Sequence, residues 1–193
     1  MCGRYALHAN PDVVALQFGL DARPEFGPRY NIAPATEILV VRNRKAGLAR
    51  WNLRGGFVNL RAETVRAKFK RSGRCLVPAS GFYEWKSEGG RKQPYYFFPK
   101  NEPLFGFAAL WEHETCSLIT TEPNEVVRKA HDRMPLIVPP ESYAAWLAGD
   151  EGLLENQPQI AIVAHPVGLA VNTAANDSRR LIEPVELARG LFD

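Results

Sequence analysis

Between residues 75 and 120 the chain passes through five short apolar runs, at 75–77, 82–85, 95–98, 104–110 and 116–120, each cut off by Pro, Gly or charged turn residues. Runs of this length, rich in Val, Phe and Tyr and bounded by breakers, read as strands. Two further runs, 38–41 and 160–164, read the same way. Helical signals lie around them. Asn10-Pro11 supplies an N-cap and a first helical position, Val13, Val14 and Leu16 follow, and Gly19 ends the segment. A basic helix is expected over 62–71, with Val65 and Phe69 four apart on one face, and further helices over 124–130 and from Pro140 through Leu147. Many short strands with interspersed helices, and no regular alternation of strand and helix, predict an α+β fold. The expectation is one domain over residues 1–193, with a curled, mostly antiparallel, barrel-like sheet at its core and peripheral helices.

Composition narrows the setting. The 46% hydrophobic fraction is enough for a substantial core. No run of about 18 apolar residues suggests a membrane span, and no charged region followed by an apolar stretch marks a secretory signal. Cys2, Cys75 and Cys116 are far apart with no CxxC pair, which points away from a disulfide framework or zinc site and towards a reducing compartment. A cytoplasmic protein, nucleoid-associated when bound to DNA, is expected. Charge is unevenly spread: residues 1–75 carry 14 Lys/Arg against 5 Asp/Glu, and residues 76–193 carry 10 against 16. Eleven of the basic residues in the first part are arginines, whose planar fork suits phosphate oxygens. A polyanion partner and a surface whose charges balance in three dimensions are both open on this count.

The opening Met1-Cys2-Gly3-Arg4-Tyr5 has its own chemistry. Removal of Met1, plausible before a small side chain, would leave an amine and a thiol on adjacent carbons. Such an aminothiol condenses with an aldehyde to an imine, and the thiolate then closes a thiazolidine ring. With an α-amino pKa of about 7.7–8 and a thiol near 8.5, both groups are partly reactive at neutrality. The competing reading makes Cys2 a small apolar residue at the start of a first strand. Glu84, between Tyr83 and Trp85, is a candidate general acid if it faces inward and a solvated side chain if strand alternation turns it out. His131, near a helix end, is either a proton shuttle or structural. His131-Asp132 is a weak metal cue with no partner cluster, so neither a metal nor a cofactor is expected.

Several blocks occur in order: Met1-Cys2-Gly3-Arg4, Asn31-Ile32-Ala33-Pro34, Asn59-x-Arg61-Ala-Glu-Thr, Arg74-Cys-Leu-Val-Pro-Ala-x-Gly-Phe-Tyr-Glu84-Trp, and His131-Asp-Arg133-Met-Pro. Val171-Asn172, Asn176-Asp177 and Leu181-Ile182-Glu183-Pro184 continue the pattern to the end. Together they closely resemble the SRAP family, the SOS response-associated peptidase-like proteins. The resemblance implies capture of abasic sites in single-stranded DNA as a thiazolidine crosslink on Cys2, by a monomer. Glu84 would assist sugar ring opening, His131 would position and protonate the opened sugar, and Asn59 would orient Cys2 and the lesion. Arg4, Arg61 and Arg133 would hold phosphates, with Pro34 and Trp51 also on the DNA side. "Peptidase" would refer to self-removal of Met1. One departure stands out. The family usually carries a longer Pro- and Trp-containing loop before the Asn59 block, and here only residues 51–58 fill that stretch. Trp51 or Phe57 would have to replace its stacking, unless either is core. The alternatives are an N-terminal-nucleophile hydrolase with His131 as base and a non-covalent single-strand binding module.

Overall fold

A computed structural model describes residues 2–52, 56–155 and 160–187. Strand β1 (Tyr5–Leu7) leads through helix α1 (Pro11–Gln17) to β2 (Arg29–Ile32), β3 (Glu37–Arg42) and β4 (Lys45–Trp51). Then come β5 (Asn59–Arg61), one-turn α2 (Arg66–Phe69), β6 (Gly73–Ala79), β7 (Gly81–Glu88), β8 (Arg91–Pro99), β9 (Phe105–Glu112) and β10 (Thr115–Thr121). The chain continues through α3 (Glu125–Arg128), β11 (Met134–Pro135), β12 (Ile137–Val138), α4 (Tyr143–Ala148), α5 (Gly152–Glu155) and β13 (Ile162–Pro166). Two 3-10 turns, Leu169–Asn172 and Arg179–Ile182, follow.

Local chemistry explains most boundaries. Asn10 Oδ1 accepts the Asp12 N–H at 2.9 Å, Pro11 opens α1, and Gly19 leaves it at φ +58°. The β7–β8 hairpin turns through Gly89-Gly90, both at positive φ, the two-residue turn whose twist matches that of the strands. Asn43-Arg44 makes the equivalent turn between β3 and β4, and Arg44 is held there by Asp21 at 2.7 Å. The helix expected over 62–71 is shorter than its pattern. The Ala62 N–H donates to Thr120 O, which extends sheet pairing past β5, so only Arg66–Phe69 is helical. Val65 and Phe69 are buried as the pattern required.

Two sheets result. One is antiparallel throughout, in the order β13-β8-β7-β1-β2. In the other, β4, β3, β6, β9 and β10 pair in turn, and β10 pairs back onto β4 in parallel through Thr115↔Arg50 and Cys116↔Trp51. That last pairing closes a five-stranded barrel. β5 continues the line of β4 along β10, and β11 and β12 extend the ladder beyond it. The α+β, barrel-like architecture expected from the sequence is the one found. Phe82 of β7 packs against Phe105 and Phe107 of β9 with centroids about 6 Å apart, joining the two sheets. Alternation along β7 therefore sends Phe82 and Glu84 towards the barrel. Tyr83 and Trp85 face the other way, where Tyr96, Val171 and Leu181 form a second, smaller core. Among the described residues no helix is long and apolar enough to cross a membrane.

Candidate active site

Cys2 lies just ahead of β1, fully buried, with its Sγ 4.0 Å from Arg4 O. β1 runs between β2 and β7, and the Tyr5↔Phe82 register brings the start of the chain alongside Glu84. Asn59 begins β5, where the Leu118↔Asn59 pairing fixes it, and its Nδ2 donates to Cys2 O at 2.7 Å. Glu84 faces inward with 2% of its surface exposed, so the solvated alternative for this residue is set aside. Burial pushes its carboxyl up to about 7. Burial, and after it the Glu84 charge, pushes the Cys2 thiol well above the ordinary thiol range.

His131 follows α3, and its own N–H donates to Val127 O at 2.9 Å. Its Nε2 stands 3.7 Å from Glu84 Oε2, slightly beyond hydrogen-bond length. Its Nδ1 is 3.0 Å from both the Arg133 N–H and Asp132 Oδ1. One nitrogen cannot accept from the first and donate to the second at once. The neutral ring has two arrangements: protonated at Nε2, it accepts from Arg133 and points Nε2–H towards Glu84; protonated at Nδ1, it donates to Asp132 and turns the Nε2 lone pair towards Glu84. Burial pushes the imidazole below its ordinary value, which favours the neutral ring. Near neutrality the site therefore offers an acid in Glu84 and, in the ring protonated at Nδ1, a base in His131 Nε2.

Two acceptors in this cluster, Asn59 Oδ1 and Glu84 Oε1, are buried with no partner among the described residues. Leaving a buried acceptor unmatched costs about 1–3 kcal/mol. Two such atoms beside a cysteine mark a place where donors are still to arrive. A pocket of about 310 Å³ between His8, Tyr96, Phe98 and His165 is lined by none of Cys2, Asn59, Glu84 and His131. No group of three or more His, Cys, Asp or Glu side chains gathers at metal-ligand range among the described residues.

The residues expected on the DNA side divide. Arg61 is exposed and, among the described residues, enters no ion pair or side-chain hydrogen bond. Arg133 is held internally: its side chain is 12% exposed, pairs both terminal nitrogens with Glu63 at 2.6 and 3.1 Å, and donates to Thr120 O at 2.7 Å. Arg4 donates through one terminal nitrogen to Asn31 Oδ1 and Val171 O, each at 2.8 Å. Pro34 is half-buried in the turn between β2 and β3, beside Ala35 at φ +65°. Trp51 requires correction. It has no exposed surface, meets Tyr5 edge-on with centroids 5.5 Å apart, and donates its indole N–H to Val58 O. It is a core residue and offers no face to a base. Phe57 does: its ring is half exposed, with the Lys68 ammonium 4.6 Å from its centre. Met1 and residues 53–55 of the shortened stretch lie outside the described residues.

The sequence reading assigned no role to Asn31, Glu63, Asn172 or Asp177, which turn out to hold the arginines and the back of the sheet. Their positions inside or beside the motif blocks were the only available signal.

A family model for SOS response associated peptidase (SRAP) matches residues 1–174. The chain belongs to the SRAP family. Relatives within it include the Bacillus subtilis abasic site processing protein YoqW, 35% identical over 95% of this chain and 99% of that protein. The Escherichia coli abasic site processing protein YedK is 30% identical over 96% of this chain and all of YedK. A Bacteroides thetaiotaomicron crystal structure, 21% identical, superposes with a TM-score of 0.81 over 96% of this chain and all of that one, which shows that the two share a fold.

Proposed function

We propose that this chain captures abasic sites in single-stranded DNA, closing a thiazolidine between the Cys2 aminothiol and the lesion's C1′ aldehyde once Met1 is gone. The observation that carries the reading is the meeting of Cys2, Asn59, Glu84 and His131, from four separate stretches of sequence, around two unpartnered buried acceptors. The names of the relatives, abasic site processing proteins, support the substrate.

The steps balance without a cofactor. Protonated Glu84 gives its proton to the sugar ring oxygen as the C1′–O4′ bond breaks, while neutral His131, protonated at Nδ1 towards Asp132, takes the hydroxyl proton at Nε2, and the aldehyde forms. The Cys2 amine adds to C1′, and the carbinolamine loses water to give the imine. The thiol then adds across that bond: sulfur joins C1′ and the thiol proton passes to nitrogen. Asn59 holds the Cys2 carbonyl, fixing the approach of both groups. A thiol kept protonated by burial suits this order, because the amine attacks first and the sulfur second. Removal of Met1, a hydrolysis consuming one water, is assigned to the same acid–base pair. Arg61 is the foremost phosphate contact on this reading, with Phe57 the available aromatic face.

Intact-mass measurement after mixing the protein with single-stranded DNA carrying one abasic site tests the reading. The expected product is the Met1-less protein plus the oligonucleotide minus one water, stable to heat and SDS without borohydride. Turnover of a peptide with no adduct would replace this reading with the hydrolase one.

A further inference from the structure

The blocks around Asn31 and around residues 171–177 take no part in the chemistry above, yet they converge on Arg4. Asn31 is 5% exposed. Its Nδ2 faces three carbonyls, those of Val171, Thr173 and Asn176, at 3.3, 3.1 and 2.8 Å, and its Oδ1 accepts from Arg4. Arg4 also reaches Val171 O directly. Asp177 Oδ1 accepts the Tyr30 N–H, pinning the far end of the same segment to β2. On the backbone side, Arg4 O accepts the Tyr83 N–H at 3.0 Å and lies against the Cys2 thiol.

Chain termini are poorly ordered unless tied down. Once Met1 is removed, only Cys2 and the side-chain-less Gly3 precede Arg4, so Arg4 is the first residue whose side chain can anchor the reactive end. We infer that Arg4 and Asn31 are positioning residues for the Cys2 nucleophile, and that the segment 171–177 is the fixed body to which they tie it. This rests on the proposed capture reaction and deepens it. It also reassigns Arg4, whose guanidinium nitrogen is spent on Asn31 and Val171, from phosphate binding to support.

The experiment compares Arg4→Ala, Asn31→Ala and the milder Asp177→Ala in the Met1-less protein, each checked for cooperative melting. Single-turnover capture is measured at saturating abasic single-stranded DNA, beside non-covalent affinity for the undamaged strand at several salt concentrations. Misplacing reacting groups by about 1 Å costs on the order of 100-fold, so a fall of about 10- to 100-fold in the saturating rate is expected, with affinity and salt slope unchanged. Weaker binding and a flatter salt slope, with the saturating rate intact, would make Arg4 a phosphate contact and overturn the inference. Hydrogen exchange at the Tyr83 amide, which donates to Arg4 O, gives a readout independent of the chemistry. It should accelerate in all three variants while the barrel amides stay protected, and unchanged exchange overturns the anchoring. Should the wild-type protein form no adduct, the capture reading falls by itself, and exchange alone still decides whether Arg4 and Asn31 hold the N-terminus.

Discussion

Glu84 and Tyr83 are neighbours on β7 that face opposite sides of one sheet, and their polar atoms meet opposite fates. Tyr83 is fully buried and its hydroxyl donates to Tyr30 O at 2.6 Å; next to it Trp85 donates to Asn172 Oδ1 at 2.7 Å. On the other face Glu84 Oε1 and Asn59 Oδ1 are buried without partners among the described residues. The back face is hydrogen-bonded and therefore inert. The front face keeps acceptors unmatched, a cost that folding tolerates where a substrate is to supply the donors. The difference teaches that burial alone does not make a site; unmatched acceptors gathered beside a nucleophile do.

Substitutions on the two faces should separate accordingly. The largest effect belongs to Cys2→Ala, which removes the sulfur that closes the ring; no heat-stable adduct should appear on a denaturing gel. A Cys2→Ala protein that crosslinks like the parent would break the assignment of the front face. Next comes Glu84→Gln, which keeps shape but removes the transferable proton. Capture should slow by about 10²–10⁴-fold, the usual contribution of a general acid, while DNA affinity persists in a binding assay.

Glu84→Gln also has a stability signature. A carboxyl near 7 in the folded state and near 4.5 unfolded binds its proton more tightly when folded. Its contribution is therefore complete below about pH 4.5 and is lost as pH rises through about 7. The glutamine variant escapes that loss. Denaturant melts should show it gaining on the parent between pH 4.5 and 8, by on the order of 3 kcal/mol at most. A constant difference across that range would mean that Glu84 titrates normally. Tyr83→Phe on the back face should do the reverse: stability falls by about 1–3 kcal/mol as Tyr30 O loses its donor, with the capture rate unaltered. The smallest effect is that of Arg61→Ala. It should reduce the log–log salt slope of single-strand binding by about 0.7, the value of one phosphate contact; an unchanged slope makes Arg61 surface charge only.

Much of this was legible in the sequence. The five apolar runs at 75–120 all became strands because their breakers and β-formers agreed. The four site residues are legible in the motif blocks and not in the periodicity. The direction of Glu84 was open, since alternation fixes a strand's two faces but not which one is covered. Trp51 was open for a related reason: an isolated tryptophan before a glycine-rich stretch reads equally well as wedge or core. The strand β4 was missed. Its Lys45, Gly47 and exposed Leu48 carry no clean alternation, and it owes its place to pairing with β3 and β10. Glu63 could not be matched to Arg133 because the partners are 70 residues apart and meet only through β5 and β10.

The parallel seam between β4 and β10 has a consequence in time as well as space. It joins residues 50–51 to 115–116, so the barrel cannot close until everything between them has been laid down and paired. Contacts this distant along the chain form late and slowly. Asn59 is placed by the continuation of that same seam, and His131 follows the far end of β10 by way of α3. The cluster around Cys2 is thus a product of finished folding, and no fragment of the chain assembles it. If removal of Met1 depends on that cluster, as the proposed function has it, the aminothiol is unmasked only in molecules that have passed this test. Half-folded chains, newly made in a cell containing many other aldehydes, would keep their reactive end capped.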